Sequence, residues 1–517
     1  MRKLFGFHGG IHPPAHKTES TVRPIVCAPL PKRLVLPLKH HAGDGAIAAV
    51  QVGDRVLKGQ MIATPASAMS AAVHAPTSGR VIAIDRRIVP SADGHDALCI
   101  SIDVDGEDNS VTFTPFPFQH KTRAEVLDYL SVMGVVGLGG AVFPSAAKLA
   151  ADHGTPIHTL IINGSECEPY ISCDSMLMRE RADDVVRGVA LLRQLCDARD
   201  AMIAIEDNKP EAIAAMQAAT TRHGGGIEIV SLPTMYPSGG AKQLIKLLTG
   251  IEVPGGRHAP EYGVQCFNSG TAYSIFRAID LGEPVLTRII TITGNVRTPQ
   301  NYEACLGTSL GELLALAVEE SDTDGHIVGG PLMGYRIDST DLPLVKATNC
   351  VIATSKRLFP QAQPALPCIR CGQCVEACPA ELLPHDMYWF AKAKNFDRAA
   401  DYSVRDCIEC GACNYVCPSR IPLVQYFKQA KSELANQAKA QAFADVSRER
   451  HEHREERLAR LETERAARVA SHTNGTSPNE AIDTVQNDQA LKDAAVQAAL
   501  ARARARRERH ARSGAPS

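Results

Sequence analysis

The sequence predicts a multidomain chain of mixed α/β and α+β class that closes with a helical cysteine-rich module and a charged helical tail. Three observations lead there. At 517 residues the chain is long enough for several domains, each burying its own core. Between about 122 and 280, amphipathic stretches alternate with short apolar runs, the pattern of an α/β domain. Of the 16 cysteines, the only two tight groups fall within residues 368–417, where the spacers read as helical.

Composition removes several classes of function. With 22% charged residues, 44% hydrophobic residues and a formal net charge of −2, the chain is ordinary for a globular protein and has no global attraction to nucleic acid. No apolar run reaches the roughly 18–20 residues a membrane span needs, so no span of its own is expected. The first residues are basic but lack an apolar core and a small-residue cleavage site, so they do not read as a secretory signal. An intracellular chain keeps its thiols reduced, which excludes a disulfide framework. Cys27, Cys99, Cys167, Cys173, Cys196, Cys266, Cys305 and Cys350 are scattered singly and are expected as small buried hydrophobes.

Within an N-terminal domain over 1–118, residues 30–110 read as short strands with Gly, Pro and Asp turns, notably around 53–60 and 73–81. They resemble the two halves of a biotinyl/lipoyl-type β-sandwich. Carriers of that type hold their cofactor on a hairpin lysine, and no lysine stands between Gln60 and Arg80. Residues 119–282 form the expected α/β domain, with helices at 123–133, 182–195 and 240–248 and strands at 159–162, 201–205 and 227–231. A β-branched run at 288–293, a helix at 309–317 and a Gly-rich turn at 326–334 suggest a β-grasp-like module over 283–345. The cysteine module spans 360–430, with Trp389 expected in its core. Residues 431–517 are rich in Ala, Arg and Glu with a polar break at 471–479, and cannot bury a core of their own.

The cysteines carry the strongest signal. Cys368-x-x-Cys371-x-x-Cys374-x-x-x-Cys378-Pro379 is followed by Cys407-x-x-Cys410-x-x-Cys413-x-x-x-Cys417-Pro418. Three cysteines at two-residue gaps wrap one four-iron, four-sulfur cube, and the fourth, ahead of a proline, reaches the other cube. One 4Fe–4S cluster is therefore assigned to Cys368, Cys371, Cys374 and Cys417, and a second to Cys407, Cys410, Cys413 and Cys378. Gly372 and Gly411 are expected to relieve crowding beside the clusters. Structural zinc would not require the four-cysteine run twice.

A second constellation runs from Gly137 to Lys148: Gly-Leu-Gly-Gly-Ala-Val-Phe-Pro-Ser-Ala-Ala-Lys. It is not a dinucleotide fingerprint, because Val142 replaces the third glycine and a helix precedes it. A glycine loop opening a helix can still cradle a phosphate with its N–H groups, and Lys148 adds charge one turn in. The following loop, Asn163-Gly164-Ser165-Glu166-Cys167-Glu168, offers an amide and two acids to a ribose or a flavin edge.

These two motifs resemble the flavin- and NADH-binding motifs of the complex I flavoprotein subunit. The runs 236–244 and 329–334, the N-terminal Phe7-His8-Gly9-Gly10-Ile11-His12-Pro13-Pro14 and the double cysteine motif resemble the RnfC family of the Rnf ion-translocating electron transport complex, over about residues 1–430. The resemblance implies FMN against Gly137, Gly139, Gly140, Lys148 and Asn163, and NADH stacking near Phe143. Glu166 and Glu168 would face the nucleotide and take part in its oxidation. Leu138 and Ser165 depart from the arginine and aspartate usual in the complex I pattern.

The implied function is a peripheral electron-input subunit on the cytoplasmic side of the inner membrane. Electrons would pass from NADH through FMN and two clusters to a partner iron–sulfur subunit, with ion movement in integral membrane partners. The rival expectation is an electron-wire and docking subunit without an active nucleotide site. A soluble dehydrogenase acting alone is less in keeping with the absence of a dedicated organic-substrate pocket.

Overall fold

The computed structural model describes residues 2–473 except 40, 92–93, 95, 152–153 and 362, together with 491, 494, 496–498 and 501. The chain forms two compact units, Met1–Ser432 and Glu433–Ser517.

At the centre of the first unit is a four-stranded parallel sheet. Its spatial order is Ile227–Leu232, Asp200–Glu206, Thr159–Gly164, Val264–Asn268. Alternation along these strands explains their placement. Leu160, Ile162, Ile203 and Ile205 point into one core, beneath the helices Ala182–Cys196, Pro210–His223 and Ser269–Phe276. Ile161, Met202 and Ala204 point into the other, beneath the helix Ala241–Thr249. A parallel sheet buried on both faces reads as near-continuous apolar runs, which is why these strands are visible in the sequence.

The N-terminal region divides into a four-stranded sheet (Arg33–Pro37, Asp96–Val104, Gly79–Ile88, Arg55–Val56) and a three-stranded sheet (Ile47–Ala48, Met61–Thr64, Val73–His74). Residues before Pro31 lie outside both sheets, except that Val26–Cys27 edges a different one. That six-stranded sheet runs Val26–Cys27, Gln300–Cys305, Thr287–Gly294, Cys350–Thr354, Gly325–Val328, Tyr335–Ile337. It therefore draws strands from both sides of the 283–345 window that the sequence suggests. The separation in chain hides this: Val26 pairs with Tyr302.

Between the cysteine runs lie the helices Pro384–Lys392 and Phe396–Asp401, as the spacing indicates. Trp389 is 40% exposed, a correction to its expected core position. Met387, Tyr388 and Ala391 occupy the buried face of that helix instead. Among the isolated cysteines, Cys27 is exposed and Cys167 and Cys305 are half-buried; the other five are buried as expected. The helix Leu423–Thr473 supplies most of the described part of the second unit and is exposed at nearly every position past Leu434. The polar break at 471–479 and the rest of the tail lie largely outside the described residues. Among the described residues no helix is long and apolar enough to cross a membrane.

Candidate functional site

Strand order fixes where a ligand can sit. In chain order the parallel strands are arranged three, two, one, four, so the connections depart in opposite directions from Thr159–Gly164 and Val264–Asn268. A crevice opens at the carboxyl ends of two such strands. There Asn163 lies opposite Asn268. The glycine loop lies over this crevice, since a Cβ on Gly139 would stand 3.2 Å from the Cβ of Asn268. Gly139 and Gly140 are exposed, and nothing lies within 4 Å of where a Gly140 Cβ would be.

Three hydroxyls around the crevice, those of Ser145, Ser165 and Ser269, are buried and lack a hydrogen-bond partner. Buried polar groups without partners are rare and suit a site completed by a ligand. Leu138 N–H donates to Thr271 Oγ1 at 2.9 Å, and Arg288 donates to the Leu138 carbonyl, fixing the loop's base. Three residues here have left-handed backbone: Val142 with φ 48°, Glu166 with 48° and Tyr170 with 70°. A β-branched residue in the left-handed region is held there only by its surroundings. For Val142 these include the Ala42 N–H, which donates to its carbonyl at 3.1 Å.

Gly137, Gly139, Gly140 and the half-buried Phe143 gather in one loop, where Gly137 N–H donates to the Phe143 carbonyl at 2.8 Å. Asn163 donates to the Gly239 carbonyl and accepts from Ser165 N–H. Lys148 turns elsewhere than expected. Its ammonium donates to the Cys266 carbonyl and lies 4.5 Å from the centre of the Phe267 ring, and burial lowers its pKa. The helix after the loop, Ser145–Ala150, has six residues, too few for much of a dipole.

The two acids also depart from the expectation that they face a nucleotide. Glu166 accepts from Asp174 N–H at 2.7 Å and Ser175 N–H at 3.2 Å, capping the helix Cys173–Glu180; burial raises its pKa to about 7. Glu168 accepts from Leu332 N–H at 2.7 Å and Met333 N–H at 3.0 Å. Added at Gly330, a Cβ would stand 2.1 Å from the Glu168 Cγ, so only glycine permits this approach. Lys17, half-buried and lowered in pKa by desolvation, donates to the carbonyls of Glu166, Glu168 and Ile171. In this geometry the acids and Lys17 shape the loop from behind.

The cysteine thiols gather in two sets. Cys378, Cys407, Cys410 and Cys413 line one pocket with Pro379, Met387 and Phe427. Burial, then the thiols of Cys407, Cys410 and Cys378, raise the pKa of Cys413. Burial, then Cys371, Cys368 and Cys417, raise that of Cys374 to about 11. Thiols gathered in two such sets are suited to metal, which binds thiolate and relieves the repulsion that Cys374 and Cys413 meet from their neighbours. Gly411 has φ 79° as an entrance to the short helix Ala412–Tyr415. The close neighbour it tolerates is the Leu332 carbonyl, 2.7 Å from a would-be Cβ.

Sequence reasoning missed Asn268 and the residues after it. Their signal is an Asn-Ser-Gly step following an apolar strand, a helix-start pattern. Tyr236 stands within a sequence motif that gives no sign of its role; it is buried and donates to the Cys410 carbonyl at 2.5 Å.

Three family profiles match this chain: the RnfC barrel sandwich hybrid domain over residues 5–107, the Nuo51 FMN-binding domain over 130–277 and a 4Fe-4S dicluster domain over 367–421. A Pseudomonas aeruginosa protein, named as the C component of an ion-translocating oxidoreductase complex, is 44% identical over 513 residues, covering 98% of this chain and 66% of its own length. Relatives of the same name from Yersinia pseudotuberculosis and Yersinia pestis are each 44% identical over 497 residues. Both alignments cover 96% of this chain, with 70% and 78% of the respective relatives.

Proposed function

This chain belongs to the RnfC family of ion-translocating oxidoreductase components, and from that premise we infer that it is the peripheral electron-input subunit of a membrane complex. NADH is the electron donor in this reading. Electrons leave through two 4Fe–4S clusters, held by Cys368, Cys371, Cys374 and Cys417 and by Cys407, Cys410, Cys413 and Cys378, to a partner iron–sulfur subunit. Ion movement belongs to integral membrane partners, and this subunit sits on the cytoplasmic side of the inner membrane. A bound FMN supplies the change from a two-electron donor to one-electron carriers, and the protein supplies position and exclusion of water.

The observation that carries the reading is the crevice at Asn163 and Asn268, closed by the Gly137–Gly140 loop. From its neighbouring loop Glu168 reaches Leu332, which packs on the cysteine module. Gly137, Gly139, Gly140, Asn163 and Asn268 would hold the flavin, and Phe143 would stack on the nicotinamide donor. Glu166 and Glu168 set the shape of the loop beneath. Anaerobic purification with flavin, iron and sulfide quantitation tests this: roughly one flavin and about eight irons per chain are expected. NADH should reduce an artificial acceptor. Eight irons with no flavin would favour the second reading, a wire and docking subunit without a nucleotide site. What supports that reading is the commitment of both Glu166 and Glu168 to backbone amides.

A further inference from the structure

Residues 11–20 precede the N-terminal sheets and are bonded to the flavin-binding domain at successive points. Ile11 and Tyr236 exchange main-chain hydrogen bonds, N–H to carbonyl in both directions, at 2.8 and 2.9 Å. Tyr170 N–H donates to the Ala15 carbonyl at 2.9 Å, and the His16 ring stacks on that of Tyr170 with centres 4.7 Å apart. Lys17 then turns inward, and its Nζ donates to the carbonyls of Glu166 and Glu168, each at 2.8 Å, and to that of Ile171. Beyond it the segment is pinned by buried groups. The Ser20 and Ser172 hydroxyls lie 2.7 Å apart, and the Asn301 amide donates to the Ser20 carbonyl and the Ser172 hydroxyl, each at 2.9 Å.

Three carbonyls need three donors, and only the protonated amine offers three N–H bonds, so these contacts call for the charged form of Lys17. Desolvation opposes that charge, and Glu166 is the first of the neighbours that favour it. The other charged groups facing this pair have partners of their own. Lys209 pairs with Glu206 at 2.8 Å, and Asp174 accepts from the Asn268 amide at 2.6 Å within the field of Arg288. The thiols of Cys167 and Cys173 are kept neutral by desolvation, which raises both. Lys17 is thus the leading charge that favours the ionised form of Glu166. That carboxylate accepts from Asp174 N–H and Ser175 N–H, and the Asp174 carboxylate in turn holds Asn268 in the crevice wall.

We propose that Lys17 is a positioning residue of the flavin site: its charge and three hydrogen bonds hold the loop from Asn163 to Ile171, with the Glu166 carboxylate beneath it, in the form that takes a flavin. This rests on the flavin site described above. The chain of contacts runs from Lys17 to Glu166, from Glu166 to the start of the Cys173–Glu180 helix, and from Asp174 there to Asn268. A protonated Glu166 would turn one acceptor into a donor facing two N–H groups and loosen that start. The site is therefore completed by a side chain that lies 149 residues ahead of Glu166 in the chain.

The test uses the full chain, loaded with iron anaerobically, and FMN as probe, titrated by the quenching of its fluorescence. Lys17→Met should keep its iron and bind FMN at least about tenfold more weakly. The pH profile separates charge from shape. In the unsubstituted chain FMN affinity should fall as pH drops through about 7, where Glu166 takes up its proton. In Lys17→Met the fall should begin at higher pH, because the charge that favours the carboxylate is gone. Lys17→Arg keeps the charge and should leave the profile in place. A profile unmoved in Lys17→Met, or moved as far in Lys17→Arg, overturns the proposal. Should Lys17→Met lose its iron, Glu166→Gln carries the test: its FMN affinity should show no fall near pH 7, and a fall that persists overturns the role of the carboxylate. Amide hydrogen exchange at Tyr170, read without flavin, should be faster in Lys17→Met, and unchanged exchange would show that Lys17 does not hold the loop. If the unsubstituted chain binds no FMN, the flavin site itself fails, while the exchange still judges Lys17.

Discussion

The Tyr236 hydroxyl donates a 2.5 Å hydrogen bond to the main-chain carbonyl of Cys410, joining residues 174 apart in the chain. Both residues are buried, and burial raises the phenol's pKa far above its ordinary value, so the group is a donor throughout the working range. Tyr236→Phe keeps the ring but leaves that carbonyl without the bond, at a cost of about 1–3 kcal/mol. Iron should be released at a lower guanidinium concentration, with flavin content unchanged. An unaltered release midpoint would show that the bond does not hold the cysteine module in place.

Cys378→Ala should damage the cluster of Cys407, Cys410 and Cys413, not that of its sequence neighbours, because Cys378 shares their pocket. Paramagnetic resonance of the reduced variant reads this directly. Survival of that signal with loss of the Cys368 group's would refute the crossed arrangement.

In the glycine loop, Gly139→Val brings a branched side chain against Asn268, whose Cβ lies only 3.2 Å from the position of an added Cβ. Flavin content should fall sharply while iron remains. Asn268→Ala should lower flavin content too, since it removes the amide that bonds Asp174 at 2.6 Å and caps the helix Ser269–Phe276. Full flavin occupancy in both variants would place the flavin elsewhere.

Lys346 gives a pH signature. Its Nζ donates to the Gly134 carbonyl at 2.7 Å, and burial lowers its pKa from 10.5 to about 7. Between these values the unfolded chain binds the proton and the folded chain does not. Stability from this group is therefore lost as pH falls from 10.5 towards 7 and is level below. Lys346→Met removes the dependence. Its melting temperature relative to the unsubstituted chain should be more favourable at pH 7 than at pH 10. An offset equal at both pH values would contradict the lowered pKa.

Ending the chain after Ala435 removes a helix segment that is almost wholly exposed. Iron and flavin contents should be unchanged. Loss of iron on purification would mean that the tail supports the cysteine module.

The short apolar runs at 160–162 and 201–205 announced the strands of an α/β domain, and the eight clustered cysteines announced iron–sulfur chemistry. Both signals are local: a strand buried on both faces is a short unbroken apolar run, and a cube is wrapped by cysteines a few residues apart. The sequence by itself determined those parts. The destination of Glu166 and Glu168 was decided by tertiary structure, because the amides that bind them belong to the Cys173–Glu180 helix and to Leu332 and Met333. A carboxylate in a polar loop looks the same in sequence whether it faces a ligand or a buried N–H. Asn268 joined the site only because its strand pairs with Thr159–Gly164, and His8 reached Cys378 across 370 residues of chain. Such contacts depend on which surfaces remain to be covered once the cores have formed, and no residue-by-residue pattern records that.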